Sequence, residues 1–143
     1  ADEFLGEGTI VYTEDKNGER EYLNSDKGKT DLPLVVLVNE GSASASEILA
    51  GAIKDTDRGV LVGTKTFGKG IVQRIIKLPD GSGYKLTVSE YFTPNGTNIH
   101  GIGIKPNVEV KLPEDIDIIG PENLSEDIQL KKAIEIMEGK IEK

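Results

Sequence analysis

The feature that most constrains the fold is an uninterrupted apolar run, Leu34–Val38, followed at once by a turn and a helical pattern. Such a run is typical of a strand that is buried on both faces, so we expect a central strand here. Past the turn, apolar residues recur at helical spacing, namely Ile48, Leu49, Ala52 and Ile53. Gly59–Gly63 (G-V-L-V-G) predicts a second buried strand. Leu34–Val62 is therefore a strand–helix–strand unit, which favours two parallel strands, a right-handed crossover and an α/β fold.

The other β-prone segments come in pairs that are separated by turn signals. Gly8–Thr13 and Glu19–Leu23 flank D-K-N-G at Asp15–Gly18, which predicts a hairpin. Val72–Leu78 and Tyr84–Phe92 are separated by P-D-G-S-G, which predicts a second antiparallel pair. We therefore expect a mixed sheet in which antiparallel hairpins accompany the parallel strands.

The C-terminal region indicates an amphipathic helix after a cap candidate, Ser125. Its apolar positions are Ile128, Leu130, Ala133, Ile134, Ile136, Met137 and Ile141. A chain of 143 residues that is 36% hydrophobic can form one modest core. We expect a sheet core over residues 1–110, followed by a linker and the helix over residues 111–143.

Charge and composition exclude several partners. The 17 basic and 25 acidic residues give a formal net charge of -8, which repels a phosphate backbone or an anionic membrane surface, so we expect no nucleic-acid partner. The sequence has no cysteine, hence no disulfide and no thiolate metal ligand. The longest apolar stretch, Leu32–Val38, is interrupted by Pro33 and is far shorter than the roughly 20 residues that span a bilayer.

The segment Asn39–Glu47 (N-E-G-S-A-S-A-S-E) places three serines where the buried strand turns into the helix. Backbone N–H groups at a helix N-terminus are unpaired, so a serine held there has potential oxyanion donors beside it. The same serines could simply cap the helix, and caps are far commoner than nucleophiles. The local sequence leaves both interpretations open.

A serine nucleophile needs a base, and this chain offers histidine or lysine. The single histidine, His100, lies among glycines after a turn, and we interpret it as a structural or surface residue. A lysine must be neutral to accept a proton, which requires apolar surroundings or a nearby cation. Lys69 is the best placed, because Phe67 in T-F-G-K-G could give it apolar cover. Lys65 is its competitor, and composition alone does not choose between them.

Four motifs in order carry a family resemblance: G-S-A-S-A-S-E-I-L-A-G-A, G-T-K-T-F-G-K-G-I-V-Q, Y-F-T-P-N-G and H-G-I-G-I-K-P-N. Over roughly Gly8–Val110 the chain resembles the carboxyl-terminal processing peptidases, also called tail-specific proteases. The resemblance implies that Ser44 is the nucleophile, that Lys69 is the general base, and that Gln73 orients the lysine. It also implies a fold that is part of the ClpP/crotonase-like core.

The activity implied by the resemblance is that of a serine endopeptidase with a Ser/Lys dyad, which cleaves protein substrates near their C-terminus. Cleavage would pass through an acyl-enzyme, without metal, ATP or another cofactor. The backbone N–H of Ala45 would be one oxyanion donor. The second donor of the family lies in an N-P-G-G segment upstream of the nucleophile, which this sequence lacks.

The same resemblance predicts that this is a partial catalytic domain. The family's upstream core segment, its PDZ domain and its N-terminal signal or anchor are not visible before Ala1. We therefore expect the chain to be inactive or nearly so alone, and a sheet edge left free would be a route to self-association. The parent protein is expected to be extracytoplasmic, whether periplasmic, secreted or membrane-anchored.

Two other classes of protein are compatible with parts of the pattern. In a non-enzymatic interaction module, the Ser-rich junction would bind a peptide carboxylate or another anion through its N–H groups. Such a module would not require Lys69 and Gln73. A purely structural α/β domain leaves the combination of the serine and lysine motifs unexplained.

Overall fold

A computed structural model describes residues 1–114, 116 and 119–141 of the chain. In these residues, seven strands and two α-helices form two sheets with their packed helices. The elements are β1 (Gly8–Asp15), β2 (Arg20–Ser25), β3 (Val35–Val38), α1 (Ala45–Asp55), β4 (Val60–Gly63), β5 (Ile71–Lys77), β6 (Gly83–Phe92), β7 (Val108–Glu109) and α2 (Ile128–Ile141). Short 3-10 turns span Asp2–Phe4 and Pro121–Asn123.

The larger sheet is antiparallel, with the strand order β2-β1-β6-β5. Tyr12 pairs with Tyr22 across β1 and β2, and Ile76 pairs with Tyr84 across β5 and β6. Both predicted hairpins are therefore confirmed. Gly18, with φ of 82°, provides the left-handed conformation that the first turn requires.

The smaller sheet has the order β3-β4-β7, and its strands are parallel. Since α1 connects β3 to β4, the predicted strand–helix–strand unit is confirmed. The prediction of a central strand at Leu34–Val38 is wrong in the described residues, because β4 lies in the middle and β3 at the edge. Leu37 is 41% exposed, whereas Leu61 of β4 is fully buried. In this strand the apolar run therefore predicts neither the number of neighbouring strands nor the burial of both faces.

The core lies where α1 packs against β1 and β4. Its buried members are Leu5, Ile10, Val11, Val38, Ala50, Ala52, Ile53, Leu61, Ile99 and Ile104. α1 buries its small and branched residues in this core, which fixes the position of its N-terminus relative to the sheet.

α2 packs on β3 and β4. Its cap is Asp127 and not the predicted Ser125, because the backbone N–H of Leu130 donates to Asp127 Oδ1 at 2.8 Å. Its apolar pattern is only partly buried: Ala133 is buried, whereas Ile134 and Ile141 are exposed. Of the predicted linker and helix over residues 111–143, Asp115, Asp117, Ile118, Glu142 and Lys143 lie outside the described residues. The described helices are all too short or too polar to cross a membrane.

Candidate active site

Ser44 is the N-cap residue of α1, which begins at Ala45. This confirms the predicted placement of the serine at the start of a helix. The backbone of Ser44 has φ of 57° and ψ of -114°, in the left-handed region that residues other than glycine rarely adopt. Such conformations cost about 1–3 kcal/mol and persist only where the surrounding structure enforces them.

The first backbone N–H groups of α1 have no acceptor within the helix. The backbone N–H of Ala45 accordingly has no hydrogen-bond partner among the described residues, so it is available to a ligand oxygen. The turn before it is closed by Ser42, whose Oγ accepts the N–H of Asn39 at 3.2 Å. Ser42 therefore stabilises the turn, while Ser46 is exposed on the first turn of the helix.

Glu47 is the residue of the site that sequence reasoning missed. Its side chain is fully buried, and its carboxylate accepts four hydrogen bonds. Oε2 accepts the backbone N–H groups of Ser44 (3.0 Å) and Lys69 (2.8 Å). Oε1 accepts the Thr66 hydroxyl and the Gly68 N–H, both at 2.6 Å. One carboxylate therefore joins the serine turn to the lysine loop. The S-x-x-E spacing from Ser44 to Glu47, which is that of a capping box, is the signal that could have identified it.

The lysine loop connects β4 to β5 and alternates between buried and exposed residues. Thr66, Gly68 and Gly70 are buried, whereas Phe67 and Lys69 are exposed. The expectation that Phe67 covers Lys69 is therefore wrong, since the ring of Phe67 is 67% exposed. Because the backbone directs every second residue inward to Glu47 and the core, the residues between them face solvent.

The H-G-I-G motif supports this loop from the other side. Gly101 N–H donates to Gly68 O at 2.9 Å, and a Cβ added to Gly70 would lie 2.4 Å from the backbone nitrogen of His100. These backbones touch, so glycine is required at position 70. The His100 side chain is exposed, consistent with a surface residue, and it is the backbone N–H of His100 that donates to Asn98 Oδ1 at 2.8 Å.

The structure brings the backbones of Ser44 and Lys69 together, but it does not join their side chains. In the described part of the chain, Lys69 Nζ makes no hydrogen bond. Gln73 lies on β5 beside a register shift between Val72 and Gln73. Its Nε2 is 3.4 Å from Thr87 Oγ1, so its amide faces β6. Within the same residues, no hydrogen bond connects Gln73 to Lys69.

An open depression of about 620 Å³ lies at the carboxyl ends of β3, β4 and β7. Its rim includes Glu40, Thr64 and the exposed Lys65. The pKa of Glu40 lies below its ordinary value because its own backbone N–H and the Thr64 hydroxyl stabilise the carboxylate. No group of three or more His, Cys, Asp or Glu in the described residues is placed to hold a metal ion.

Comparison with known proteins gives one consistent family. The profile described as Peptidase family S41 matches residues 1–110. A carboxyl-terminal-processing protease of Synechocystis sp. is 46% identical over 139 residues, covering 95% of this chain and 32% of the relative. A chloroplastic C-terminal processing peptidase of Tetradesmus obliquus is 47% identical over 115 residues, covering 77% and 25%.

Among solved structures, a photosystem II D1 C-terminal processing protease superposes with a TM-score of 0.71 at 44% identity. The match covers 80% of this chain and 31% of that protein. The chain thus spans about a third or less of the length of these similar proteins.

Proposed function

Because the chain belongs to peptidase family S41, we propose that it carries the nucleophile and the general base of a serine endopeptidase that cleaves protein substrates near their C-terminus. The observation that carries this proposal is the shared carboxylate of Glu47, which fixes the Ser44 turn beside the Lys69 loop. A nucleophile and its base must be adjacent for proton transfer, and this carboxylate keeps the two backbone nitrogens within about 6 Å of each other.

In this mechanism neutral Lys69 takes the hydroxyl proton of Ser44 while Oγ attacks the scissile carbonyl. The carbonyl oxygen becomes an oxyanion, and the free N–H of Ala45 donates to it. Lys69 then gives its proton to the leaving amine, which departs as the acyl-enzyme forms, and water hydrolyses the ester. Gln73 is proposed to orient Lys69, which would require its amide to turn from Thr87 toward the lysine.

The position of Lys69 determines what else the working site needs. A lysine base must be neutral, which requires its removal from water. Lys69 is exposed, so we propose that the 143 residues alone have little or no activity. A surface that covers Lys69, together with a second oxyanion donor, would complete the site.

The wider assignments are proposals as well. Residues 1–110 are proposed to be part of a ClpP/crotonase-like core, supported by the parallel β3–β4 pair around α1. β2 and β5 are the outer strands of the antiparallel sheet in the described residues, which supports self-association through a free edge. The parent protein is proposed to be extracytoplasmic on the family resemblance alone; the names of two relatives place those proteins in the chloroplast.

The test is active-site labelling with a serine-reactive fluorophosphonate, in the natural-length protein that contains this chain and in the 143 residues alone. We expect Ser44 to be labelled in the former, much more slowly in the latter, and not at all after Ser44→Ala. Failure to label the natural-length protein would contradict the peptidase assignment and favour a non-catalytic module that binds anions at the start of α1. Equal labelling rates would contradict the proposed inactivity of the 143 residues alone.

A further inference from the structure

Phe67 is a large apolar side chain that is 67% exposed inside the lysine loop. A single exposed apolar residue is ordinary on a protein surface. Ile75 on the β5–β6 hairpin, 70% exposed, is such a case. Phe67 differs from it because the residues on both sides of Phe67, Thr66 and Gly68, are buried. The ring is therefore held outward by a backbone that is fixed on either side.

The hydrogen bonds of this loop make Phe67 part of the site. The backbone N–H of Phe67 donates to the carbonyl oxygen of Ser42 at 3.0 Å. The next two N–H groups, of Gly68 and Lys69, donate to Glu47. Phe67 thus lies between the turn that carries Ser44 and the residue proposed as the base, in a segment whose backbone N–H groups donate both to Ser42 and to Glu47.

We infer that Phe67 is a specificity-determining residue, whose ring contacts an apolar side chain of the bound polypeptide next to the scissile bond. The inference rests on the proposed peptidase function. The loop that carries Phe67 is bonded to Ser42, two residues before Ser44. The loop therefore borders the position that the scissile carbonyl of a bound polypeptide would take, and the side chain next to that bond is the one we place against the ring. Contact with an aromatic ring removes apolar area from water, so it favours an aliphatic or aromatic residue over a charged one.

Rigid presentation strengthens this selectivity. A loop whose backbone is already ordered loses little conformational freedom on binding, so more of the contact free energy appears as affinity. Since hydrogen bonds hold the backbone of Phe67 in place before the substrate arrives, we expect the effect mainly on KM, with a smaller effect on kcat.

The experiment uses the natural-length protein and peptides that differ only in one residue beside the scissile bond, which is Leu, Ala or Asp. Phe67→Ala is expected to lower kcat/KM for the Leu peptide by roughly tenfold or more, while the Asp peptide changes little. Phe67→Leu, which keeps an apolar side chain, should retain most of the preference. Ile75→Ala is the matched control, equally exposed but on the hairpin, and should behave as wild type.

A binding measurement separates this inference from the proposed function. In the Ser44→Ala background, the fluorescence anisotropy of a labelled Leu peptide reports affinity without turnover. An added Phe67→Ala substitution should weaken binding by the same factor as it raises KM. If wild type cleaves no peptide, the proposed function fails and Phe67 has no role in choosing a cleavage site. Binding of the Leu peptide that still depends on Phe67 would then support only the contact between the ring and an apolar side chain.

An unchanged ratio of Leu to Asp cleavage in Phe67→Ala, with unchanged binding, would overturn the inference. The inference would also be overturned if Phe67→Ala lowered the melting temperature and reduced kcat/KM equally for all three peptides. That result would mean that the ring contacts another part of the protein and not the substrate. If Phe67→Ala does not fold, Phe67→Gln, which keeps much of the side-chain length at this exposed position but is polar, should lower the ratio of Leu to Asp cleavage, and an unchanged ratio would overturn the inference.

Discussion

Ser44 and Lys69 donate their backbone N–H groups to the same atom, Oε2 of Glu47, at 3.0 and 2.8 Å. Two residues that are 25 positions apart in the sequence are thereby held by one buried carboxylate. The pair cannot separate at the backbone unless a hydrogen bond to a fully buried charge is lost, which is costly. The geometry of the proposed dyad therefore depends on a third residue that takes no part in proton transfer.

Ser44→Ala and Lys69→Ala are each expected to abolish peptidase activity of the natural-length protein, because one hydroxyl and one amine carry the proton transfer. Lys65→Ala and His100→Ala should retain it, since both side chains are exposed and neither is assigned a role in proton transfer. Steady-state cleavage of a C-terminal peptide is the measurement. Turnover in Lys69→Ala would remove the proposed base.

Glu47→Gln is expected to lower both stability and activity. An amide keeps one oxygen and replaces the other with a donor, so some of the four groups that Glu47 now satisfies would lose their acceptor, at about 1–3 kcal/mol for each buried group. Thermal unfolding would measure the change in stability. The rate of Ser44 labelling, at a temperature well below that of unfolding, would measure the change in activity. Glu40→Gln, at an exposed carboxylate, is the control and should change the melting temperature little. Wild-type labelling in folded Glu47→Gln would show that the carboxylate does not position the site.

Local signals predicted most of the fold. The hairpins are predicted by their turn residues. The strand–helix–strand unit is predicted by the spacing of apolar residues, which changes where a strand gives way to a helix. Each of these signals lies within a few residues of sequence. Whether β3 lies at the edge or in the middle of its sheet depends on which strands pair with it, and no local sequence pattern contains that information. Ser and Asp both cap helices, so the sequence offers Ser125 as well as Asp127 at the start of α2. The hydrogen bond from the Leu130 N–H to the Asp127 side chain shows that Asp127 is the cap.

For the candidate site, the sequence predicts which types of residue take part and where Ser44 lies on the backbone. Ser44 at the start of a helix follows from the strand–turn–helix pattern. Glu47 was missed because glutamate is rarely buried, and its four donors come from two segments that only the folded chain brings together. The apolar character of Phe67 predicts cover for Lys69, but the alternation of the loop, fixed by Glu47 and the H-G-I-G backbone, turns both residues outward.

Gly70→Ala is expected to destabilise the protein by about 1–3 kcal/mol, because the added methyl group would meet the backbone of Ile99 and His100. Gly139→Ala is the matched control, since it lies in α2 and a Cβ there has no neighbour within 4 Å. That substitution should be neutral or stabilising by about 0.5 kcal/mol. Chemical denaturation curves give both values. A Gly70→Ala variant as stable as wild type would contradict the close backbone contact.

The pKa of Asp80 lies below its ordinary value, chiefly because the Ser82 hydroxyl donates to its carboxylate. A lowered pKa in the folded state adds stability above the unfolded pKa of about 3.9, and this contribution is lost as pH falls through the lowered value. Ser82→Ala should move the Asp80 pKa upward, measured by carboxyl-carbon NMR titration. Asp15, whose pKa is lowered mainly by the Glu19 backbone N–H, should not move. An unchanged Asp80 midpoint would contradict the role of the hydroxyl.

The left-handed backbone of Ser44 has a consequence for selection. Glycine adopts this conformation without a Cβ penalty, so Ser44→Gly would be expected to raise the melting temperature while removing the nucleophile. A directed-evolution screen that rewarded thermostability alone would enrich this inactive variant. Persistence of serine at position 44 in a lineage would therefore be evidence of selection on chemistry, because selection on folding alone favours its loss.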